Sequence, residues 1–230
     1  MKNILIACEE SQAIANEFRA LGFNAYSADL QECSGGHPEY HIKGDCLPLL
    51  NGNCTFTTED GQTHSIEGRW DLIVAHPPCT YLTVAGAWLY NVERFGDKAI
   101  KRMADRKEAE EFFLKFTTCD CDHVAIENPV GTMSTTYRKA DQVIQPWHYG
   151  DPFMKSTCLW LKGLPLLQQT HFEKPKVEYK EWVDKNGKHK RQDLASYKGS
   201  FLRGADRQRL RSKTFPGIAK AIASQWKDVI

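Results

Sequence analysis

An apolar run that drives straight into two prolines sets the first constraint on this chain. Trp70-Asp71-Leu72-Ile73-Val74-Ala75 reads as a buried strand, and His76-Pro77-Pro78-Cys79-Thr80 follows without a break. The prolines cannot continue a ladder and they stiffen the backbone, so the strand must stop there. The next side chain is a thiol. It stands on a rigid turn at the carboxyl end of a strand, which in open α/β sheets is where ligands bind. A structural Pro-Pro turn followed by a buried cysteine accounts for the same residues, because burial is the usual fate of a free cysteine.

The flanking chain alternates strands and helices. Lys2 to Cys8 reads as a first buried strand. Residues 11–21 place Ala13, Ile14, Phe18 and Leu21 near helical spacing, with Gly22 as the carboxyl cap. Phe23 to Ser27 predicts a second strand ended by Asp29, and Gly44-Asp45 puts another acid at the end of a third. Acids at strand tips suit nucleotide-binding α/β folds, although Asp is also a common turn-former. Residues 51–68 predict a hairpin about Asp60-Gly61. Tyr81 to Asn91 reads as a mobile loop. A helix from Asp97 to Phe116 carries an apolar stripe of Ile100, Met103, Phe112, Phe113 and Phe116, with a charged, solvated opposite face.

His123-Val124-Ala125-Ile126 then leads into Glu127-Asn128-Pro129, a second polar group at the end of an apolar strand. Cys158 to Leu161 predicts another strand. Residues 172–192 alternate around Val177, Tyr179, Trp182 and an Asn186-Gly187 turn, a second hairpin. Between Lys198 and Lys213 six basic residues face one acid, a balance that fits phosphate contacts or a solvated surface. The chain closes on a helix from Ile218 to Trp226. This alternation predicts an α/β fold with a largely parallel sheet.

Length suits one domain with a small appendage. A net charge of +1 excludes a global field toward nucleic acid or membrane, so such contact must use a local patch. The opening MKNILIACEE is too short an apolar run for a signal peptide or membrane span, and a cytoplasmic location is expected. The eight cysteines are read as scattered thiols. Cys119-Asp120-Cys121-Asp122-His123 has no second pair to complete a zinc site, and no metal is expected.

In order, the landmarks are the strand–helix–strand ending in Asp29, then Gly44-Asp45, Pro78-Cys79, Glu127-Asn128 and a final helix bearing Gly217-Ile218-Ala219-Lys220-Ala221-Ile222-Ala223. This series resembles the S-adenosylmethionine-dependent cytosine carbon-5 methyltransferases, specifically the short phage-borne DNA cytosine methyltransferases. The likeness spans residues 1–165 and the last helix. It implies a Rossmann-like methyltransferase sheet over 1–170 and 214–230, with 171–213 as a small recognition lobe. It implies Cys79 as nucleophile and Glu127 as acid, with Asn128 and Pro129 shaping the turn. S-adenosylmethionine would meet Ala7, Cys8, Glu9 and Ser11 in the first turn, Asp29 and Leu30, Asp45 and Cys46, and His76 and Pro77. DNA, duplex or single-stranded, or a cytosine nucleotide would meet Pro78, Thr80, Arg138, Arg203, Arg207, Arg209 and Arg211.

The chain departs from the family pattern at three points. Residues 7–12 contain no glycine, Thr80 stands where a glutamine commonly follows Pro-Cys, and Arg138, Lys155 and Arg203 are all candidates for a supporting basic residue. Rival readings are methylation of free nucleotides, an amino-methyltransferase whose Pro-Pro motif ends in an aromatic, a non-catalytic nucleic-acid-binding protein on the same fold, and a redox or zinc protein resting on cysteine number.

Overall fold

The computed structural model describes residues 1–176, 178–193 and 213–230. Val177 and the basic segment with Arg203, Arg207, Arg209 and Arg211 lie outside the described residues. The elements that position the site are strands β1 (Asn3–Ala7), β2 (Asn24–Asp29), β3 (His41–Lys43), β4 (Cys54–Thr57), β5 (Thr63–Ile66), β6 (Leu72–Ala75), β7 (Val124–Pro129), β8 (Gln142–Ile144) and β9 (Thr157–Lys162). A separate antiparallel pair follows, β10 (Tyr179–Val183) and β11 (His189–Asp193). The helices are α1 (Ala13–Ala20), α2 (Val92–Phe95), α3 (Asp97–Thr117), α4 (Met133–Thr136) and α5 (Pro216–Trp226).

Seven strands form one sheet in the order β3-β2-β1-β6-β7-β9-β8. The strands from β3 to β7 run parallel, and β9 is antiparallel to both of its neighbours. The fold is therefore mixed α/β around a mostly parallel sheet, as the strand–helix alternation predicts. Order reverses between β1 and β6, the switch point at which doubly wound sheets open a crevice beyond their strand ends.

Residues alternate across the sheet. Ile4 and Ile6 of β1, with Leu72 and Val74 of β6, pack against α1 and α5 through Ile14, Phe18, Ile218, Ile222 and Trp226. Leu5 and Ala7, with Ile73 and Ala75, pack on the other side with Phe113, Phe116, Trp70 and Trp160. Burial on both sides is why β1 and β6 read as continuous apolar runs. Both predicted hairpins form, with Gly61 and Gly187 at positive φ in their turns. Gly22 likewise ends α1 at φ +87°.

Three expectations need correction. Ile100 is 55% exposed and Met103 is also on the surface, so the first half of α3 does not bury the predicted stripe. Its inner positions are Ala99 and the partly buried Arg102 and Arg106. Leu21, grouped with the apolar positions of α1, is exposed because the chain has left the helix there. Val84–Tyr90, read as a mobile loop, is a 3-10 helix whose start is capped by the Thr83 hydroxyl accepting from the Ala85 N–H. The strand β8 and the antiparallel course of β9 carry no alternation that a sequence window registers.

Candidate active site

The sequence-predicted catalytic and cofactor-binding residues gather at the carboxyl ends of five adjacent parallel strands. Cys8 and Glu9 follow β1, Asp29 ends β2, Asp45 follows β3, His76 to Cys79 follow β6, and Glu127 and Asn128 lie near the carboxyl end of β7, paired with β9.

Cys79 is exposed. Its carbonyl accepts from the N–H groups of Leu82 (3.0 Å) and Thr83 (3.1 Å), which bends the chain sharply after the prolines. The next carbonyl, of Thr80, accepts from the Arg102 guanidinium at 2.7 Å. That guanidinium lies over the rings of Tyr81 and Tyr90, 4.9 and 5.1 Å from their centroids, and the Tyr90 hydroxyl donates to the Tyr81 carbonyl. Such contacts hold a loop through charge-assisted and cation–π attraction. Sequence reading assigned Arg102 to a solvated face. The Tyr81 and Tyr90 rings it would stack on were the only hint.

The Cys79 loop is stitched to the chain beyond β7. Thr132 N–H donates to the Leu82 carbonyl at 2.8 Å, Val84 N–H donates to the Val130 carbonyl at 3.2 Å, and Thr83 and Gly131 form an isolated antiparallel bridge. Only a glycine allows this approach: a Cβ at Gly131 would stand 2.0 Å from the Leu82 carbonyl oxygen. Lower in the seam, the Asn128 side-chain amide donates to the Pro77 carbonyl at 2.7 Å, and Asn128 is only 2% exposed. The turn that carries the thiol and the strand that carries the acid are thus one rigid unit.

His76 Nδ1 lies 3.0 Å from Glu127 Oε2. Burial favours a neutral Glu127, but the bond and charge of His76, with Lys155 and Thr157 behind them, outweigh it and hold the carboxyl below its ordinary range. Burial likewise opposes a charged His76, yet the bond and charge of Glu127 and the charge of Glu9 raise its proton affinity. Glu9 is buried and caps α1, accepting from the N–H groups of Ile14 (2.8 Å) and Ala15 (3.3 Å). Burial raises its own proton affinity against those bonds.

The first turn reaches its shape without glycine. Cys8 (φ 61°) and Gln12 (φ 54°) both adopt the left-handed backbone that glycine favours. Gln12 is held there by two bonds to the backbone of His37, at 2.9 and 3.1 Å. Ser11 is buried against the same loop. Beneath lie the thiols of Cys8 and Cys46, 3.9 Å apart, and their mutual bond and burial make Cys8 hold its proton well above the ordinary thiol range.

The acceptors at these strand tips suit a cofactor that offers hydroxyls and an amine. Two carboxylates, Asp29 and Asp45, stand at neighbouring strand tips, Leu30 beside them is 76% exposed, and a buried Glu10 oxygen has no hydrogen-bond partner among the described residues. Each Asp also accepts a turn N–H, Asp29 from Gln31 and Asp45 from Leu47.

Arg138 lies elsewhere. It pairs with Asp141 and donates to the Leu161 carbonyl, opposite Ala125 and away from the tip of β7. Of the basic candidates described, Lys155 is the one whose charge reaches His76 and Glu127. No group of three or more His, Cys, Asp and Glu among the described residues is placed to hold a metal, and no described helix is long and apolar enough to cross a membrane.

No family model and no curated protein matches the sequence. Solved structures do. An E. coli prophage-encoded protein assigned as a DNA modification methyltransferase aligns with 70% of this chain and 46% of its own, at 13% identity and a TM-score of 0.38. A mutant of Spodoptera frugiperda DNMT2 aligns with 77% of this chain and 58% of its own, at 13% identity and a TM-score of 0.40. The chain thus spans about half the length of the solved structures it matches.

Proposed function

We propose that this chain is an S-adenosylmethionine-dependent DNA methyltransferase that modifies carbon-5 of cytosine through a covalent adduct on Cys79. One observation carries the reading. An exposed thiol on a rigid turn is bonded, through His76–Glu127 and Asn128–Pro77, to a strand end that presents a carboxyl group at the same edge of the sheet.

Cytosine carbon-5 is a poor nucleophile. Addition of the Cys79 thiolate to carbon-6 forms the S–C bond and drives the ring electrons toward nitrogen 3 and carbon-5. Glu127 supplies a proton at nitrogen 3 as the charge arrives. Carbon-5 then takes the methyl group, its own proton passes to solvent water, and the electrons of that C–H bond restore the 5,6 double bond as the thiolate leaves carbon-6. The target base must be unpaired or flipped out to reach the thiol. When bound, S-adenosylmethionine supplies the electrophilic methyl group. Asp29 and Asp45 would hold its ribose and adenine, Leu30 would cover the base, and the turn from Ala7 to Ser11 would hold the methionine part. Thr80 and Pro78 flank the thiol on the substrate side. Residues 171–213 serve as the DNA-reading lobe, with β10 and β11 as its framework and Arg203, Arg207, Arg209 and Arg211 on phosphates.

The test is radiolabelled methyl transfer to duplex DNA, single-stranded DNA and free deoxycytidine nucleotides in parallel, with the product base identified. Wild-type protein yields 5-methylcytosine, and Cys79→Ala yields none while keeping its fold and cofactor binding. Product methylated on an exocyclic amine, or activity that survives Cys79→Ala, overturns the mechanism.

A further inference from the structure

The proposed chemistry needs a proton at ring nitrogen 3, yet the resting surroundings of Glu127 favour its carboxylate. The missing proton has a source in the structure. His76 takes its place in the seam of the sheet, its N–H donating to the Ala7 carbonyl at 2.9 Å, and Pro77 stiffens the chain after it. Its side chain is 8% exposed, Nδ1 faces Glu127 Oε2 at 3.0 Å, and Nε2 is buried with no hydrogen-bond partner among the described residues. A buried imidazole that bonds a largely buried carboxylate through one nitrogen, with its other nitrogen shut away from the surface, is costly unless the pair has work to do.

We propose that His76 and Glu127 act as one proton-donating unit, with His76 the positioning residue that orients the Glu127 carboxyl and loads it with the proton the cytosine receives. This rests on the cytosine reading above. The proton leaves Nδ1 of the imidazolium, the carboxyl accepts it, and ring nitrogen 3 takes it as carbon-6 bonds to sulfur. The imidazole is left neutral and Glu127 ionised. When the thiolate departs, nitrogen 3 returns the proton by the same route. The groups that face this pair are Glu9 from the turn after β1, whose charge favours the imidazolium, Lys155 before β9, which opposes it, Thr157 of β9 on the carboxyl, and the Cys158 thiol of β9, which burial and the charge of Glu127 keep protonated. The Glu9 oxygens are already committed to the N-terminus of α1, so Glu9 tunes the pair and does not replace Glu127.

Two measurements on the full chain test this. In the first, the imidazole of His76 is titrated by nitrogen-15 NMR, a readout independent of any substrate. His76 should hold its proton above the ordinary imidazole range, and Glu127→Gln should lower that midpoint by more than about one pH unit. A His76 that titrates at or below the ordinary value, indifferent to Glu127→Gln, overturns the unit. In the second, the pH dependence of methyl transfer to a cytosine oligonucleotide is compared for wild type and His76→Asn. Asparagine keeps an N–H donor near Nδ1 but cannot titrate. The alkaline fall-off should move to lower pH by more than about one unit, with a rate loss of roughly 10- to 100-fold at neutral pH. His76→Gln, which loses the Nδ1 donor, should be slower at every pH. A uniform loss with the profile in place assigns His76 a structural role alone. Wild-type protein that methylates nothing overturns the cytosine reading, and this role with it, whatever the titration shows.

Discussion

Gly131→Ala probes the seam between the thiol loop and the acid strand. Its Cβ would meet the Leu82 carbonyl oxygen at 2.0 Å, the Leu82 carbonyl carbon at 2.8 Å and the Thr83 Cα at 3.2 Å. All three are backbone atoms, so no side-chain rotation relieves the overlap, and the two loops must separate by more than an ångström. That displacement removes the Thr132-to-Leu82 and Val84-to-Val130 hydrogen bonds. At about 0.5–1.5 kcal/mol each, the loss is ~1–3 kcal/mol. For a domain of this size it corresponds to a fall in melting temperature of roughly 2–12 °C. Catalysis should suffer more, because ~1 Å of misplacement of a reacting group costs on the order of 100-fold in rate. Gly44→Ala is the control, since a Cβ there meets open space. The assay is calorimetric melting of both variants beside methyl transfer. A Gly131→Ala protein that melts and turns over like wild type would refute the claim that the two loops form one rigid unit.

The His76–Glu127 pair makes stability depend on pH with a defined sign. The raised affinity of His76 contributes fully below the ordinary imidazole value of 6.5 and is lost as pH rises through the higher folded value. The lowered affinity of Glu127 contributes above its ordinary 4.5 and is lost as pH falls through the lower folded value. The stability gap between wild type and Glu127→Gln, measured by urea unfolding, should therefore be widest between pH 4.5 and 6.5 and narrow on both sides. A gap independent of pH contradicts the pairing. Arg102→Met keeps the aliphatic stem but loses the bond to the Thr80 carbonyl and the contacts with Tyr81 and Tyr90. It should cost about 1–2 kcal/mol in chemical unfolding and slow methyl transfer further by loosening the Cys79 turn. Unchanged stability would remove Arg102 from the account.

Much of the frame is legible before folding because its strands are buried on both sides. The runs of β1, β6 and the first half of β7 carry their own apolar signature; β1 and β6 end where it stops, whereas β7 continues through Glu127 and Asn128 because β9 pairs with them. The acid and thiol positions follow from that. The first half of α3 misleads because it packs against the 3-10 helix at Val84–Tyr90, using Arg102 and Arg106 where a core helix would use aliphatic residues. Turn conformation is equally silent. Residues 7–12 contain no glycine, yet Cys8 and Gln12 take the left-handed backbone, Cys8 bonded to the Ala28 carbonyl and Gln12 to the backbone of His37. The meeting of His76 with Glu127 spans 51 residues and exists only because β6 and β7 are neighbours. A window that moves along the chain does not see it.

The central claim is that Cys79 bonds to the base it modifies. A cytosine bearing fluorine at carbon-5 has no proton to lose after methyl transfer, so the S–C bond cannot be released. Intact-mass analysis of the protein after incubation with S-adenosylmethionine and a fluorocytosine oligonucleotide should show a denaturant-stable species heavier by one oligonucleotide and one methyl group. Peptide mapping should place it on Cys79, and Cys79→Ala should not form it. Methylation of the ordinary oligonucleotide with no adduct on the fluorinated one would contradict the account.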